Sequence, residues 1–316
     1  MASPVVRCLK QQVEDCEVHL LTEGPFADLM AHNPFIDKVH NYNRPFSTVM
    51  DELCEFGFDY VIDLQKNLKT QRIKNRLKLI NFSLGGTKIE KWILVNFKKN
   101  LLPHAHIVDH FMKTISLFAN NDGCGLDFFI RKEDEVDVNQ FLYDIHRPFV
   151  ALVLSAKYKT RQPTVANLER MLLKIKYPVV LLGSDADKGL AVDLLDLTGN
   201  KCVDVCGRYS IYQMASILTQ SACVVTGDND FSAIASALKK DVVSIWGSTV
   251  PEFGYAPYLA GQNSQIIEVK DLKCRPCSRK GFSSCPRGHF QCMTEIDDDY
   301  VAEVVNRIAA GMRYEI

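Results

Sequence analysis

Six short runs in the second half of the chain are almost wholly apolar: FVALVLS, PVVLLG, KCVDVC, ACVVT, DVVSIWG and QIIEV. Stretches of helical periodicity separate most of them. This feature constrains the fold most. Strands without polar alternation are covered on both faces, and parallel strands need crossover connections, usually helices. The pattern predicts a parallel sheet wrapped by helices on both sides. The first half alternates in the same way, with EVHLLT, DKVHNY, FDYVIDL and KLINFSL as strands. Between the second and third of these, FSTVMDELCEFG spaces Val49, Leu53 and Phe56 along one helical face. SIYQMASILTQ opens on Ser210 with Gln213 three residues on, a capping box that starts a helix. The charged segment IRKEDEVDVNQFLYDIHRP breaks the rhythm. The organisation expected is therefore an N-terminal α/β domain over 1–130, a linker over 131–148 and a second domain over 149–316. The second domain includes a Cys-rich segment, 274–292, and a C-terminal helix. Both are read as doubly wound domains facing a cleft.

At 316 residues the chain is long enough for two such domains. A net charge of −1 gives no global field for nucleic acid, and no recognition module accompanies the local charge. That local charge is concentrated: from Leu64 to Lys113 there are eleven Lys or Arg against two acids, Glu90 and Asp109. No apolar run approaches the roughly 18 residues of a membrane span, and no leader-type apolar region follows Met1. Eleven cysteines without a secretory leader suit a reducing cytoplasm rather than a disulfide scaffold.

Doubly wound sheets bind ligands outside the carboxyl ends of their strands. In the second half those ends are Ser155, Gly183, Cys206-Gly207, Thr226-Gly227 and Gly247-Ser248. The glycines there read either as room for backbone to approach a ligand or as plain turn chemistry. Neither a GxGxxG nor a GxxxxGK[ST] pattern is present, so a dinucleotide fingerprint and a P-loop are unsupported.

Several segments, in order along the chain, carry a resemblance. VVTGDNDFSAIASALKKDVVSIWGSTVPEFG is similar to the V-T-N-D-T-G-x-x-H signature, and its continuation to P-V-V-x-x-F/W-G-x-T-x-P, of family-9 glycosyltransferases, the lipopolysaccharide heptosyltransferases. FDYVIDLQKNLKT resembles that family's YDxVIDLxxNLRS, LLPHAHIVDHFM its LPxxxHxVxRYL, and SAKYKTRQP its GAxxxTKRxP. KCRPCS and CPRGHFQCMTEID resemble its PCxPC and CPxGHxxCMxxIT, and SPVVRCLKQQ the helix after its first strand. The resemblance implies a GT-B architecture of two Rossmann-like domains. It implies inverting transfer of a heptose from a nucleotide-diphosphate donor to an anionic, lipid-linked core sugar at the inner membrane face, without a catalytic cofactor.

The departures from the family are specific. Its opening strand and S-x-G-D, whose Asp is the proposed base, would precede Met1. The expectation is thus that Met1 is internal, that the first strand lies upstream, and that this chain holds no assigned catalytic residue. The family's Lys-Arg pair aligns with Arg161 and Gln162. Its D-T-G-x-x-H aligns with Asp228-Asn229-Asp230-Phe231-Ser232-Ala233. Two acids at a helix start oppose a phosphate there, so the donor site reads as altered. The alternative is that Asp228 and Asp230 are helix caps. The donor set implied is Ser155, Lys157, Thr160, Arg161, Gly183, Ser184, Gly207, Ser210, Asp228, Asn229 and Asp230. Lys157 and Arg161 would neutralise the leaving diphosphate.

Lys66, Asn67, Lys69 and Arg72 open a basic stretch that continues through Lys74, Arg76 and Lys78. It suits an anionic acceptor and peripheral contact with the inner membrane, or it is a solvated face. Cys274, Cys277, Cys285 and Cys292 form C-x2-C-x7-C-x6-C: a structural zinc tetrad, disulfides or packed thiols. His104, His106 and His110 lack the carboxylate of a HExxH pattern and read as helix-surface residues. Two functions remain open: a cytoplasmic glycosyltransferase, or a catalytically inactive GT-B relative that binds a sugar nucleotide or a protein partner.

Overall fold

The structure, a computed structural model, describes residues 1–142, 148–199 and 201–311. The chain forms two compact units, Met1–Thr87 with Ala105–Phe129, and Lys88–His104 with Ile130–Ile316.

The N-terminal unit runs α1 (Ser3–Gln12), β1 (His19–Thr22), α2 (Gly24–Met30), β2 (Lys38–Asn41), α3 (Phe46–Glu55), β3 (Tyr60–Asp63), α4 (Leu68–Leu77) and β4 (Ile80–Ser83). Each strand lies within one of the four runs expected. Among the described residues they form two separate parallel pairs, β1 with β2 and β3 with β4. Val49, Met50 and Leu53 of α3 bury against Ile73 of α4, with Leu21 and Phe58 packed alongside. Helix α1 starts at a proline-containing first turn, a position where the missing N–H costs nothing. It buries Val5, Val6 and Cys8, and also Arg7, whose charge is met by Asp122 at 2.7 Å, by Asp127 and by the Gly125 carbonyl at 2.9 Å.

Helix α5 (Lys88–Phe97) interrupts this unit and belongs with the C-terminal one. Its Leu94, with Leu102, buries against Val250 and Phe253. Helix α6 (Ile107–Thr114) returns to the N-terminal unit. His106 caps it, its ring nitrogen accepting from the Val108 N–H at 3.1 Å, so this histidine is a helix-start residue.

The C-terminal unit continues with β5 (Val150–Val153), α7 (Val165–Lys174), β6 (Val179–Leu182), α8 (Lys188–Thr198), β7 (Cys202–Asp204), α9 (Ile211–Gln220), β8 (Cys223–Gly227), α10 (Asp230–Ala237), β9 (Val242–Trp246), β10 (Gln265–Glu268), α11 (Gln291–Thr294) and α12 (Asp298–Ala309). All six expected strands are present. They form one parallel sheet in the order β10-β9-β8-β5-β6-β7. Every residue of β5, β6, β8 and β9 is buried. That two-sided burial is why these runs show no polar alternation. Numbered within the unit, the order is the doubly wound 3-2-1-4-5-6, whose direction reverses between β5 and β8. The expected C-terminal helix, α12, buries Val301, Val304, Val305 and Ile308 against the central core.

Of the segment expected as a linker, residues 143–147 lie outside the described residues. Its first part is fastened to the C-terminal unit: the Val136 N–H donates to Ser216 Oγ at 2.9 Å, and Gln220 Nε2 donates to the Val136 carbonyl at 2.8 Å.

Candidate functional site

The reversal between β5 and β8 places two loops side by side at the carboxyl ends of the strands. Ser155 follows β5, and Asp228-Asn229 joins β8 to α10. Asn229 Nδ2 donates to the Ser155 carbonyl at 2.8 Å, bridging the reversal point. The same side chain caps α10. Its Oδ1 accepts from the Phe231 N–H at 3.0 Å, the Ser232 N–H at 3.3 Å and the Thr226 hydroxyl at 3.0 Å. Thus neither Asp228 nor Asp230 is the cap, as the capping alternative required. Asn229 takes that role because an amide oxygen can serve two N–H groups without adding charge.

Asp228 turns away from the helix start. It is 8% exposed. Its Oδ1 meets Arg161 Nη2 at 2.7 Å and its Oδ2 accepts from the Thr249 hydroxyl at 2.6 Å. Burial is the strongest influence on this carboxyl and pushes it above the usual carboxylate range, against the pull of Arg161 and Thr249. Arg161 also donates Nη1 to the Lys280 carbonyl at 3.3 Å. Its Nε is buried and has no hydrogen-bond partner among the described residues, and the same holds for Ser232 Oγ on the first turn of α10. Asp230 is exposed at the first position of α10, where an acid complements the helix dipole.

Hydrogen bonds continue across the neighbouring strand ends. Ser155 Oγ, Ser184 Oγ and the Ser184 N–H all donate to Asp187 Oδ2, at 2.7, 2.7 and 2.8 Å. The Gly207 N–H donates to the Gly183 carbonyl at 2.9 Å. The expected residues Ser155, Gly183, Ser184, Gly207, Asp228 and Asn229 thus lie along one hydrogen-bonded rim that also includes Asp187 and Arg161. Asp187 was not anticipated, although Ser184-x-x-Asp187 is a capping-box spacing. Lys157 is exposed on the loop after β5. Ser210 caps α9 with Gln213, as its spacing predicted.

Two expectations change. Thr160 is buried and fully used inside the protein. Its Oγ1 accepts from the Phe282 N–H at 2.7 Å and the Ser248 hydroxyl at 2.9 Å, its N–H donates to the Phe282 carbonyl at 3.1 Å, and its carbonyl accepts from the Ser248 N–H at 3.0 Å. It braces three loops. The glycine that ends β8 and the one after β9 clear space for that same loop rather than for an outside ligand. A Cβ on Gly227 would stand 2.5 Å from the Arg161 carbonyl oxygen, and one on Gly247 2.6 Å from that of Thr160.

The loop after β9 brings Tyr255 to this region. Burial chiefly, then the Asp228 charge, pushes its phenol up. Lys91 of α5 lies 4.9 Å over the Tyr255 ring and donates to the Phe253 carbonyl at 2.9 Å. No local sequence signal links α5 to this loop.

In the N-terminal unit, Asp63 ends β3 and organises the turn into α4. Its Oδ1 accepts from the Gln65 and Lys66 N–H groups at 3.1 and 2.8 Å. Asn67 caps α4 reciprocally with Thr70. Lys66 and Arg72 are exposed, and exposed Lys69 pairs with Glu23 at 2.7 Å. Lys74 departs from the basic face: it is buried, 2.8 Å from Asp63 and 2.7 Å from Ser83 Oγ, tying β3, α4 and β4 together. Although burial pushes the Asp63 carboxyl up, Lys74 and the turn N–H groups hold it below its ordinary value.

The four cysteines of 274–292 are free thiols. Cys277 Sγ donates to the Cys274 carbonyl at 3.3 Å. Burial first, then the neighbouring thiols, pushes Cys277 up to about 11; burial first, then Cys277, pushes Cys292 up to about 12. The four lie within electrostatic reach of one another, but among the described residues no group of three or more metal-ligating side chains is close enough together to hold an ion. The segment is pinned by other contacts instead. Arg275 donates to the Thr249 carbonyl at 2.9 Å and to Glu268 at 2.7 Å, and the Cys277 N–H donates to the Ser248 carbonyl at 3.0 Å.

A sequence model of glycosyltransferase family 9 (heptosyltransferase) matches residues 47–285. Lipooligosaccharide heptosyltransferase 2 of Haemophilus influenzae is 24% identical over 151 residues, 46% of this chain and 41% of that protein. The chain's matches span about half the length, or less, of the curated relatives. Among solved structures, a family-9 glycosyltransferase from Veillonella parvula superposes with a TM-score of 0.79 at 14% identity, covering 98% of this chain and 93% of that one. The ADP-heptose lipopolysaccharide heptosyltransferase II of Escherichia coli gives 0.69 at 15% identity, covering 98% and 94%. At these identities the likeness establishes the fold, which is of the GT-B class.

Proposed function

Since the chain belongs to glycosyltransferase family 9, the heptosyltransferase family, we propose that it is an inverting glycosyltransferase using an ADP-heptose-type donor. The acceptor is an anionic, lipid-linked core saccharide, and the enzyme works at the cytoplasmic face of the inner membrane. The C-terminal unit takes the donor and the N-terminal unit the acceptor, through Lys66, Asn67, Lys69 and Arg72.

One observation carries the donor assignment. Arg161 sits at the strand-reversal point, held by Asp228, with a buried Nε that no described residue satisfies. A guanidinium has five N–H donors, so Asp228 and the Lys280 carbonyl leave capacity for diphosphate oxygens. Asp228 thereby orients Arg161 rather than displacing the donor. Charge on the leaving diphosphate grows as the anomeric bond breaks, and Arg161 with Lys157 is positioned to stabilise it. The α10 amides contribute less than an open helix start would, because Asn229 already occupies the Phe231 and Ser232 N–H groups. Ser155, Ser184, Gly183, Gly207 and Asp187 form the rim along which the nucleotide lies; buried Thr160 braces it from within, and exposed Ser210, the cap of α9, follows Gly207 by three residues. No cofactor is required in this reading.

Titration calorimetry with ADP, and ADP release from ADP-heptose with lipopolysaccharide-core acceptor, test it. Arg161→Ala should weaken ADP binding by about 1.5–3 kcal/mol, the worth of charge-assisted contacts. Unchanged affinity would put the nucleotide elsewhere.

A further inference from the structure

Helix α5 is held firmly on one side. Leu94 is buried on Val250 and Phe253, Lys91 donates to the Phe253 carbonyl, and Lys98 donates to the Pro276 carbonyl at 2.7 Å. The opposite side carries large apolar groups in water. Ile89 is 71% exposed, Trp92 55% and Phe97 67%, and Leu101 just beyond the helix is also exposed. Positions 89, 92 and 97 fall on one helical stripe. Trp92 and Phe97 touch edge to face, their ring centres 5.5 Å apart, so the apolar surface is continuous rather than scattered. Nothing in the donor chemistry uses it.

The charge around the stripe is one-sided. Lys88 and Lys99 are exposed at its two ends, with Lys98 beside it, and the only acid between Lys88 and Lys99 is Glu90. Aromatic and aliphatic groups flanked by lysines at both ends match the boundary between acyl chains and anionic headgroups. A second copy of the chain fits poorly, because self-complementary pairing would set these lysines against the same lysines.

We propose that the outward face of α5 and the turn after it dock on an anionic lipid bilayer. Trp92, Phe97, Ile89 and Leu101 enter the headgroup–acyl boundary, and Lys88 and Lys99 face lipid phosphates. This rests on the reading that the acceptor is lipid-borne, and it names the element that holds the enzyme there.

The chain's two tryptophans make the test direct. Trp246 is sealed in the core on β9 and Trp92 is the exposed one. Full-length protein, without donor or acceptor, is mixed with vesicles of equal parts phosphatidylcholine and phosphatidylglycerol, and with phosphatidylcholine alone. Trp92 emission should shift to the blue on anionic vesicles and be quenched by brominated acyl chains. Co-sedimentation of Trp92→Ser/Phe97→Ser should be about tenfold weaker or worse, since binding scales with buried apolar area. Lys99→Gln should lose about fivefold, and only on anionic vesicles. Trp92→Phe should keep binding and lose the blue shift. Unchanged Trp246 emission and circular dichroism establish that the variants are folded.

Vesicle binding by the double-serine variant equal to that of the native chain overturns the proposal. So does bound protein whose Trp92 is not quenched, or self-association through this face with no vesicle binding. A chain that transfers sugar but ignores vesicles refutes only this inference; one that binds vesicles but transfers nothing refutes only the transferase reading.

Discussion

Replacing Arg161 by methionine keeps most of its bulk and removes its charge, leaving Asp228 buried without its cation. In the native site burial is the largest influence on Asp228 and raises its carboxyl, while Arg161 at 2.7 Å opposes that rise. An opposite charge at this range moves a carboxyl by about one to three units. At about 1.4 kcal/mol per unit, losing it costs about 1.4–4 kcal/mol at neutral pH. Arg161 keeps 19% of its side chain exposed, so solvent screening places the expectation toward the lower end, about 1.5–2.5 kcal/mol. A carboxyl raised by folding holds its proton more tightly in the native chain than in the unfolded one. Its contribution is complete below the unfolded value of 3.8 and fades as pH rises through the higher folded value. The methionine variant raises the folded value further, so its deficit should be small in acid and grow toward neutrality. Urea unfolding followed by Trp246, in a Trp92→Phe background, at about pH 5 and about pH 7 measures this difference. In an Asp228→Asn background the same Arg161 change should cost less than half as much, because the buried charge is gone. A deficit that does not change with pH, together with no reduction in the Asp228→Asn background, would refute the pairing as the source of stability.

Three further outcomes follow from other sites. Lys74→Met strands Asp63 in the N-terminal unit and should destabilise it by about 3–5 kcal/mol near neutral pH; the loss should shrink as pH falls and Asp63 protonates, which hydrogen exchange across β3 and β4 would read. His40 is buried on β2, its ring bonded to His19 at 2.9 Å and Glu52 at 2.7 Å, and burial before all else depresses its value below 6.5. Its stabilising effect is present above that value and is lost as pH falls through the depressed one, so exchange protection of β1 and β2 should drop in mild acid and His40→Gln should flatten the drop. Asp230→Gly removes an exposed helix-start acid and should cost about 0.3–1 kcal/mol of stability, while ADP affinity rises slightly and the gain vanishes in high salt; weaker ADP binding in this variant would make Asp230 a ligand contact.

Much of the architecture is legible in the chain because it is written in local periodicity. Runs such as VALV and VVLL have no polar alternation because both faces are covered, and the chain states that without reference to any partner. Ser210 and Gln213 announce a helix start because both halves of the capping box lie within one turn. The strand ends, and hence the place of the hydrogen-bonded rim, follow from the same pattern. What each side chain does there is decided by residues far away in sequence. Arg161 and Lys157 read alike as loop cations, yet the fold brings Asp228 and Thr249 to Arg161 and leaves Lys157 in solvent. Asp228, Asn229 and Asp230 all qualify as caps by type; backbone direction at the end of β8 hands the task to Asn229 and buries Asp228 instead. Lys74 sits among basic neighbours in the chain, but Asp63 at the end of β3 draws it inward. The four cysteines keep a metal-like spacing, and the contacts that fasten their loop, from Arg275 and the Cys277 backbone to the loop after β9, cannot be read from that spacing. Periodicity reports which face of an element is apolar; which charges meet across the fold depends on how those faces pack, and that is a property of the tertiary structure alone.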